Sequence, residues 1–411
     1  MPIEPVKVEP SCLFGLCDTS KLEIVWQRPL SWDTAEVIST PPVIIDDAIL
    51  FVKSTFGETP DTLKQLNKMT GDLKWIWANY ANHIHLISNQ QVFLVNEKYY
   101  FTTWHDVYGL NAKNGSLAWQ TIMPDRENGG GDPFLTVNDN KLYHAHEKRI
   151  NRQRTASYLV RSGLTIGKWD TLFTQPTIDS LEADIKPPIS WQSPQGEEIL
   201  IFQIRYINRF TLFQKTDVVA YNVTQKTVYF KFDDIDPNKI GSVVKPYVLR
   251  DKVYVPLNRS VVCFDLIQKK KLWDKEFGLG GHFLKNGTMI YCENKFFVKP
   301  SNNKLFQLNP DTGAEIWVDN THGEDPSSLL YHDGILYYTA FGNGKIYATD
   351  VSTGKNLWAD KSPNKFPNKL NGNRRFGNSN IGSGGIAIDS KLGYLYTSDF
   401  YFAICLKLPK R

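Results

Sequence analysis

Among the residues of this 411-residue chain, two histidine pairs have the spacing most suited to binding a metal ion. His83 and His85, like His144 and His146, are separated by one residue, so on a strand both imidazoles of a pair would point to the same side. Neither pair has an obvious third ligand, and we predict no metal. Three more histidines fall in loops that we expect on one face: His105, His282 and His322.

Other motifs of enzyme chemistry are missing from the sequence. It contains no Gly-x-Ser-x-Gly, no His-Glu-x-x-His and no paired Cys-x-x-Cys. Glycine clusters at 129–131, 278–281 and 382–385 precede predicted strands and no readable helix, so they do not fit a phosphate-binding loop. We therefore predict that the chain is not an enzyme and carries no cofactor.

Two basic stretches, near residues 148–161 and 361–375, are the stronger candidates for binding. Arginine and aromatic side chains often anchor protein interfaces, so we predict a protein partner of acidic character. An ordinary solvated surface is the alternative interpretation. The predicted contact residues are Trp104, His105, Arg126, Arg152, Arg154, Tyr206, Arg209, Arg374, Arg375 and Phe376.

The elements that would position these residues follow from a repeat. Thr/Asn-Gly, three variable residues and Trp recur after short alternating apolar runs; the clean copies end at Trp75, Trp119, Trp317 and Trp358. Residues 326–360 read as four short strands separated by Gly, Asp and Asn turns. A repeat of roughly 40 residues built from such strands is typical of a propeller blade, as in WD40 proteins.

Seven such segments end near Trp75, Trp119, Trp169, Tyr229, Trp273, Trp317 and Trp358, and the third to fifth lack the Thr-Gly pair. The C-terminus supplies three further strands, and residues 21–30 (KLEIVWQR and its flanks) supply a fourth with Trp26. Joining them would pair otherwise open strand edges. We predict an all-β, eight-bladed propeller of four-stranded antiparallel blades, closed by the N-terminal strand, with seven blades as the alternative.

The Thr-Gly-x-x-x-Trp segments resemble the tryptophan-docking repeats of the pyrroloquinoline-quinone-like (quinoprotein alcohol dehydrogenase-like) propellers. The resemblance implies that the indole of one blade packs on the glycine of a neighbour. That role would fall on Trp75, Trp119, Trp317 and Trp358 with Gly71, Gly115, Gly313 and Gly354. Catalytic members of the alcohol-dehydrogenase type carry a disulfide between adjacent cysteines beside the quinone, and this chain has no Cys-Cys pair.

The predicted loops differ between the two faces of the propeller. Short turns join first to second and third to fourth strands. The long segments join second to third strands or one blade to the next: KSTFGETPDT, HEKRINRQRT, RYINRFTLFQK, FTQPTIDSLEADIKPP and the stretch from Asp360 to Gly385. Long loops are commonly functional, so we predict that this face binds the partner. Neutral drift of the loops is the alternative.

Composition and termini complete the prediction. The net charge of +4 is close to neutral for this length, which argues against nucleic acid or a membrane as partner. Residues 1–20 are predicted to form an extension of a single domain covering 1–411, without a secretory signal. The five cysteines (Cys12, Cys17, Cys263, Cys292 and Cys405) lack regular spacing, which favours reduced thiols in the cytoplasm. We also expect a monomer.

The sequence thus favours a non-catalytic protein-binding propeller, and more narrowly an immunity or antitoxin-like protein that neutralises a toxin. A quinone-dependent oxidoreductase or small-ligand binder using the central channel is one alternative. An assembly scaffold is another.

Overall fold

The computed structural model describes residues 22–30, 37–38, 40–55, 62–78, 92–102, 106–122, 135–151, 153–164, 169–208, 210–211, 213–233, 241–242, 244–283, 287–362, 385–399 and 402–408. These residues form strands and turns only. The strands make eight antiparallel sheets, each one blade of an eight-bladed β-propeller. Within the described ranges, no helix has the length and apolar character needed to cross a membrane.

The first four blades follow the chain from the N-terminal side. Blade 1 has β2 (Val37–Ile38), β3 (Val43–Ile45), β4 (Ala48–Thr55), β5 (Thr62–Asn67) and β6 (Leu73–Ala78); blade 2 has β7 (Phe93–Val95), β8 (Lys98–Thr102), β9 (Asp106–Asn111) and β10 (Leu117–Ile122); blade 3 has β11 (Leu135–Asn138), β12 (Lys141–Ile150), β13 (Gln153–Gly163) and β14 (Asp170–Pro176); blade 4 has β15 (Leu181–Ile185), β16 (Ile189–Gln192), β17 (Glu198–Asn208), β18 (Gln214–Asn222) and β19 (Thr227–Phe232).

The other four blades complete the ring. Blade 5 has β20 (Tyr247–Leu249), β21 (Lys252–Pro256), β22 (Ser260–Asp265) and β23 (Lys270–Glu276); blade 6 has β24 (Met289–Cys292), β25 (Lys295–Val298), β26 (Leu305–Leu308) and β27 (Glu315–Asp319); blade 7 has β28 (Leu330–His332), β29 (Ile335–Ala340), β30 (Lys345–Asp350) and β31 (Asn356–Lys361); blade 8 has β32 (Ala387–Asp389), β33 (Tyr394–Ser398), β34 (Phe402–Lys407) and β1 (Ile24–Pro29).

The ring is closed as the sequence predicts. β1, from the N-terminal side, pairs antiparallel with β34 and completes blade 8 in the order β1-β34-β33-β32. In blades 1 and 4 the first strand is split in two, because β2 and β3 both pair with β4 while β15 and β16 both pair with β17. First strands of neighbouring blades touch, β3 with β7 and with β32, which places them around the central axis.

The turn between third and fourth strands explains why the repeat needs its residues. In blade 6 the Asn309 Oδ1 accepts hydrogen bonds from the backbone N–H groups of Asp311 and Thr312, at 2.8 and 3.1 Å. The Gly313 N–H then donates to the Asn309 carbonyl, and Gly313 has a φ of +70°. Asn and Asp favour such turns, and glycine adopts positive φ without steric cost. The repeat is therefore a turn as well as a packing site.

The indole of one blade lies on the glycine turn of the next. A Cβ at Gly115 would lie 2.6 Å from the Trp75 ring, and one at Gly71 would lie 2.7 Å from Trp26. The Trp75 Nε1–H donates to the Ala112 carbonyl at 3.1 Å, three residues before that glycine. Two further pairs have the same packing, Trp273 on Gly313 and Trp317 on Gly354.

These contacts differ from the predicted pairs at four tryptophans. Trp26 and Trp273 fill positions on Gly71 and Gly313 that the prediction left without a partner. Trp119 donates to the Leu164 carbonyl of blade 3 at 2.8 Å. Trp358 packs in the core that blade 7 shares with the closing blade 8. At blade 8 the turn between third and fourth strands is replaced by the two chain ends, so no glycine turn exists there for Trp358.

Candidate interaction surface

The strands extend further beyond the ring on one face of the propeller than on the other. We call the face with the second-to-third turns and the blade-to-blade connections the hairpin face. On it, β12, β13 and β17 reach 10, 11 and 11 residues, whereas the corresponding strands of blade 6 have 4 each. At roughly 3.3 Å per residue these strands extend about 20 Å further. We call β12–β13 and β17–β18 the raised hairpins.

The raised hairpins correct part of the loop prediction. HEKRINRQRT, RYINRFTLFQK and FTQPTIDSLEADIKPP were predicted as loops, and the structure forms them mainly into β12–β13, β17–β18 and β14–β15. In these segments the alternation of apolar and polar residues is obscured. Charged residues continue along the strands where the strand ends extend beyond the rest of the blade. The predicted loops at 56–61 and 363–384 lie outside the described residues.

A buried ionic network ties the two raised hairpins together. Arg154 of β13 is ion-paired with Glu147 of β12 and lies 3.7 Å from Asp184 of β15. Asp184 also pairs with Lys186 at 2.7 Å and with Arg205 at 2.8 Å. Burial would raise the pKa of Asp184, but attraction to Lys186, Arg154 and Arg205 outweighs it and holds that pKa below the ordinary value. The carboxylate is therefore charged at neutral pH.

Hydrogen bonds and apolar packing reinforce the same junction. The Arg154 Nη1 donates to the Ala183 carbonyl at 3.2 Å, and the Ile185 N–H donates to the Ser157 hydroxyl at 3.1 Å. One apolar cluster, including Leu159 of blade 3 and Phe202 of blade 4, spans both blades. The raised hairpins are thus braced against each other along their length and form one platform on the hairpin face.

The tips of this platform carry exposed apolar side chains that the sequence analysis missed. Phe210 is 82 % exposed, Phe213 47 % and Ile150 52 %. The Asn208 Oδ1 accepts from the N–H groups of Phe210 and Thr211, at 2.9 and 3.0 Å, which ties the backbone of these two residues to the end of β17. The sequence does contain a sign of these exposed side chains, since apolar residues lie inside the basic stretches KRINRQR and RYINRFTLFQK.

The predicted contact residues fall into two groups. Arg154 and Tyr206 are buried, so the expectation that they reach a partner is wrong: Arg154 braces the hairpins, and Tyr206 packs in the core of blades 3 and 4. The Lys215 Nζ lies 4.7 Å above the Tyr206 ring. The others lie outside the described residues: Trp104, His105, Arg126, Arg152, Arg209, Arg374, Arg375 and Phe376.

The histidines do not converge on a site among the described residues. His144 and His146 are both buried in β12, where His146 stacks 4.8 Å from the Tyr158 ring. The His282 Nδ1 pairs with Asn258, and the buried His322 Nδ1 pairs with the Tyr338 hydroxyl. Burial lowers the pKa of His322 to about 4, with Lys299 adding to the effect. His83, His85 and His105 lie outside the described residues.

A quinone and its calcium would need hydrogen-bond donors and oxygen ligands in the central channel. Some first strands around it are apolar, as in β3 (VII), β7 (FLV) and β20 (YVL), whereas β15 (LEADI) contains Glu182 and Asp184. Asp389 of β32 is ion-paired at 2.6 Å with Lys68. Within the described ranges, no group of three His, Cys, Asp or Glu side chains could hold a metal ion. These residues do not fit that cofactor.

Cysteine chemistry is likewise limited in the described residues. Cys263, Cys292 and Cys405 are buried free thiols, as expected for small apolar side chains on strands. Burial raises the pKa of Cys292 to about 11 and that of Cys263 to about 12. They are therefore protonated and unreactive at neutral pH. Cys12 and Cys17 lie outside the described residues.

A family model and several solved structures resemble this chain. The family described as outer membrane protein assembly factor BamB matches residues 16–159 and 214–391. No curated protein matches the chain in sequence. The internal stretch without a family match, 160–213, includes the last four residues of β13, all of β15 and β17, and the Phe210 tip.

Solved structures share the fold at low identity. BamB from Moraxella catarrhalis is 10 % identical, with a TM-score of 0.57 over 95 % of this chain and 99 % of that one. A europium-containing methanol dehydrogenase is 10 % identical, with a TM-score of 0.67 over 92 % and 85 %. The Dos1 propeller is 11 % identical, with a TM-score of 0.60 over 95 % and 96 %. The same fold therefore serves assembly factors and enzymes alike.

Proposed function

This chain belongs to the BamB-like family of pyrroloquinoline-quinone-like propellers, and we propose that it is a non-catalytic member that binds a protein partner through its hairpin face. The observation that carries the proposal is the asymmetry of the two faces. One face has short turns between its strands, whereas the other has the braced platform with exposed apolar tips. A rigid surface loses little conformational freedom on docking, which favours binding.

The channel supports the non-catalytic part of the proposal. Within the described ranges, no group of three His, Cys, Asp or Glu side chains could hold a calcium ion, and the buried thiols are protonated at neutral pH. The alternative, a quinone-dependent enzyme, is favoured by the fold of the methanol dehydrogenase alone. That alternative requires ligands from residues outside the described part of the chain.

The partner itself is proposed at two levels. The broad proposal is an acidic protein bound by a monomer in the cytoplasm. The narrower proposals are an immunity or antitoxin-like role and an assembly-scaffold role. The first rests on fold analogy, and the second on similarity to a family described as an assembly factor. The identity of the partner distinguishes them.

The test is a tagged pull-down from the native host with mass spectrometry. Arg374→Glu/Arg375→Glu changes two residues that the sequence predicts on the hairpin face. Lys113→Glu/Lys270→Glu makes the same charge change on exposed residues in or beside turns of the opposite face. We expect a stoichiometric protein partner that the first variant loses and the second retains. Arg154 is unsuitable for this test because its reversal would disrupt a buried ion pair.

Two results would contradict the proposal. Loss of the partner only in the Lys113→Glu/Lys270→Glu variant would move the site to the opposite face. The absence of a partner, together with binding of calcium and pyrroloquinoline quinone to the purified chain, would favour the enzyme.

A further inference from the structure

The apolar tips of the platform are its outermost points. Ile150 ends β12 and is followed directly by the turn into β13. Phe210 and Phe213 occupy the turn between β17 and β18, whose base is closed by the Asn208 N–H donating to the Phe213 carbonyl at 2.9 Å. These side chains surround no pocket among the described residues. They project from convex turns that hydrogen bonds hold in place.

Positive charge lies immediately behind these apolar tips. Residues 148–154 (KRINRQR) and 205–215 (RYINRFTLFQK) contain cations and no acidic residue. Lys148 and Arg149 precede Ile150, and Lys215 lies two residues after Phe213, opposite Tyr206 in the β17–β18 register. Each is partly exposed. The near-neutral charge of the whole chain conceals this local excess.

Some of this charge is neutralised by buried acids. Arg149 pairs with Glu147 at 2.7 Å, and Arg205 with Asp184 at 2.8 Å. Lys215 lies 3.9 Å from the fully buried Asp217. The exposed acids near the two tips include Asp179, beside the exposed Ile178, and Asp233, whose charge acts on Tyr206. The accessible surface at the tips is therefore apolar at the outermost level and basic below it.

A surface with apolar tips outermost and cations below them matches one kind of partner. An anionic bilayer presents phosphate groups at its surface and hydrocarbon beneath, so apolar tips enter further than the cations behind them. Long cationic side chains reach back to the phosphate level while their stems cover apolar surface. A protein partner would need a cavity complementary to each tip, whereas a fluid bilayer accepts convex tips without one.

We infer that the platform of blades 3 and 4 docks on an anionic lipid surface, with Phe210, Phe213 and Ile150 inserted and Lys148, Arg149 and Lys215 at the headgroup level. This site goes beyond the protein-binding role and departs from the expectation, based on overall charge, that no membrane is involved. Two neighbouring blades of eight make the contact, so the other blades of the hairpin face stay free for a protein.

The experiment is vesicle flotation of the full-length chain. The probes are phosphatidylcholine vesicles and phosphatidylcholine vesicles with about 30 mol % phosphatidylglycerol, whose surface is negative. We expect flotation with the anionic vesicles and little with the neutral ones. Raising NaCl from about 0.05 to 0.5 M should weaken the apparent affinity about tenfold, because screening shortens the reach of surface charge.

A matched pair of variants separates insertion from charge alone. Phe210→Ser/Phe213→Ser removes the apolar tips and should weaken binding about tenfold, since each buried aromatic contributes transfer free energy. Met69→Ser/Ile267→Ser removes two exposed apolar residues from turns on the opposite face and should bind like the unmodified chain. Thermal unfolding checks that both variants fold.

Either of two results would overturn the inference. Absence of flotation with anionic vesicles at low salt would leave the tips to a protein partner. Undiminished flotation of the Phe210→Ser/Phe213→Ser variant would reduce the interaction to charge attraction without insertion. Neither result bears on the pull-down, so failure here and failure of the proposed function are distinguishable.

Discussion

The junctions between blades are of two chemical kinds. From blade 8 to blade 2, and from blade 5 to blade 7, an indole lies on a glycine turn. At blades 4 and 5 that glycine is replaced by Lys226 and Lys269, both with positive φ. Trp169 of blade 3 donates instead to Thr121 of blade 2, at 3.0 Å, and Tyr229 of blade 4 packs under the Lys269 ammonium, 3.8 Å away.

The difference coincides with the platform. Where the indole packing is absent, between blades 3 and 4, the junction is held by the Glu147–Arg154–Asp184 network and a shared apolar cluster. An indole packed on a glycine turn fixes the distance between two neighbouring blades at one point, which suits short blades of similar shape. An ionic network extends along strands, so it can brace hairpins that rise beyond the ring. Blades 3 and 4 therefore differ from the short blades in the chemistry of their junction as well as in the length of their strands.

Removal of Arg154 should have the largest effect on stability. Arg154→Ala leaves Glu147 and Asp184 buried with one cation fewer, and should lower the free energy of unfolding by about 3–5 kcal/mol. Arg161→Ala is the matched control, on the same strand and paired with Asp170 at 2.8 Å, but more exposed. It should cost about 1 kcal/mol or less. Equal losses in guanidinium titrations would mean that the network is not a brace.

A methyl group at an indole junction should have the next largest effect. Gly115→Ala places a Cβ against Trp75 and requires positive φ, so we expect a loss of about 2–4 kcal/mol. Gly393→Ala is the control, because Gly393 has a φ of +66° with nothing within 4 Å of its Cβ position. Its loss should be about 1 kcal/mol, from backbone strain alone. If the two variants unfold at the same denaturant concentration, indole packing contributes little.

Acid should weaken the junction of blades 6 and 7. Burial and Lys299 lower the pKa of His322 to about 4, so the unfolded chain binds more protons than the folded one between about pH 6.5 and 4. Stability should therefore fall as pH falls through this window, by about 2–3 kcal/mol. Asp319, 3.8 Å from His322, favours the charged form, while Tyr338 and Tyr347 pack on the ring as neutral groups.

The control for the acid effect is His322→Asn. This variant keeps a polar atom near the Tyr338 hydroxyl and removes the titration. Urea unfolding of both proteins at about pH 7, 5.5 and 4.5, which spans the pKa window, should show a flatter profile in the variant. Parallel profiles would assign the acid sensitivity to other groups.

The smallest effect is expected at the lysine turns. Lys226→Gly relieves positive φ and should raise the free energy of unfolding by about 0.5–1 kcal/mol. Lys269→Gly relieves the same strain but loses the contact with Tyr229, so it should be close to neutral. Thermal unfolding of the pair measures the difference. A destabilised Lys226→Gly would show that the side chain contributes an interaction of its own.

The sequence by itself determined the eight blades and their closure. Alternating strands and Asx-glycine turns are local features, and the indole spacing records where each blade ends. Trp26 in its short run was enough to predict the strand that pairs with β34, because an incomplete blade leaves a strand edge open. Buried thiols at Cys263, Cys292 and Cys405 followed from their apolar strand runs.

Only the tertiary structure decided the surface. Arg154 and Phe210 look alike in sequence as parts of basic stretches, but one is buried in an ion network and the other is 82 % exposed. Which side of a strand meets a neighbouring blade depends on register and on how far the hairpin rises. Neither is a local property of the residues. Long-range packing therefore places Arg154 in a buried ion network between the hairpins, and leaves Phe210 exposed at the tip beyond it.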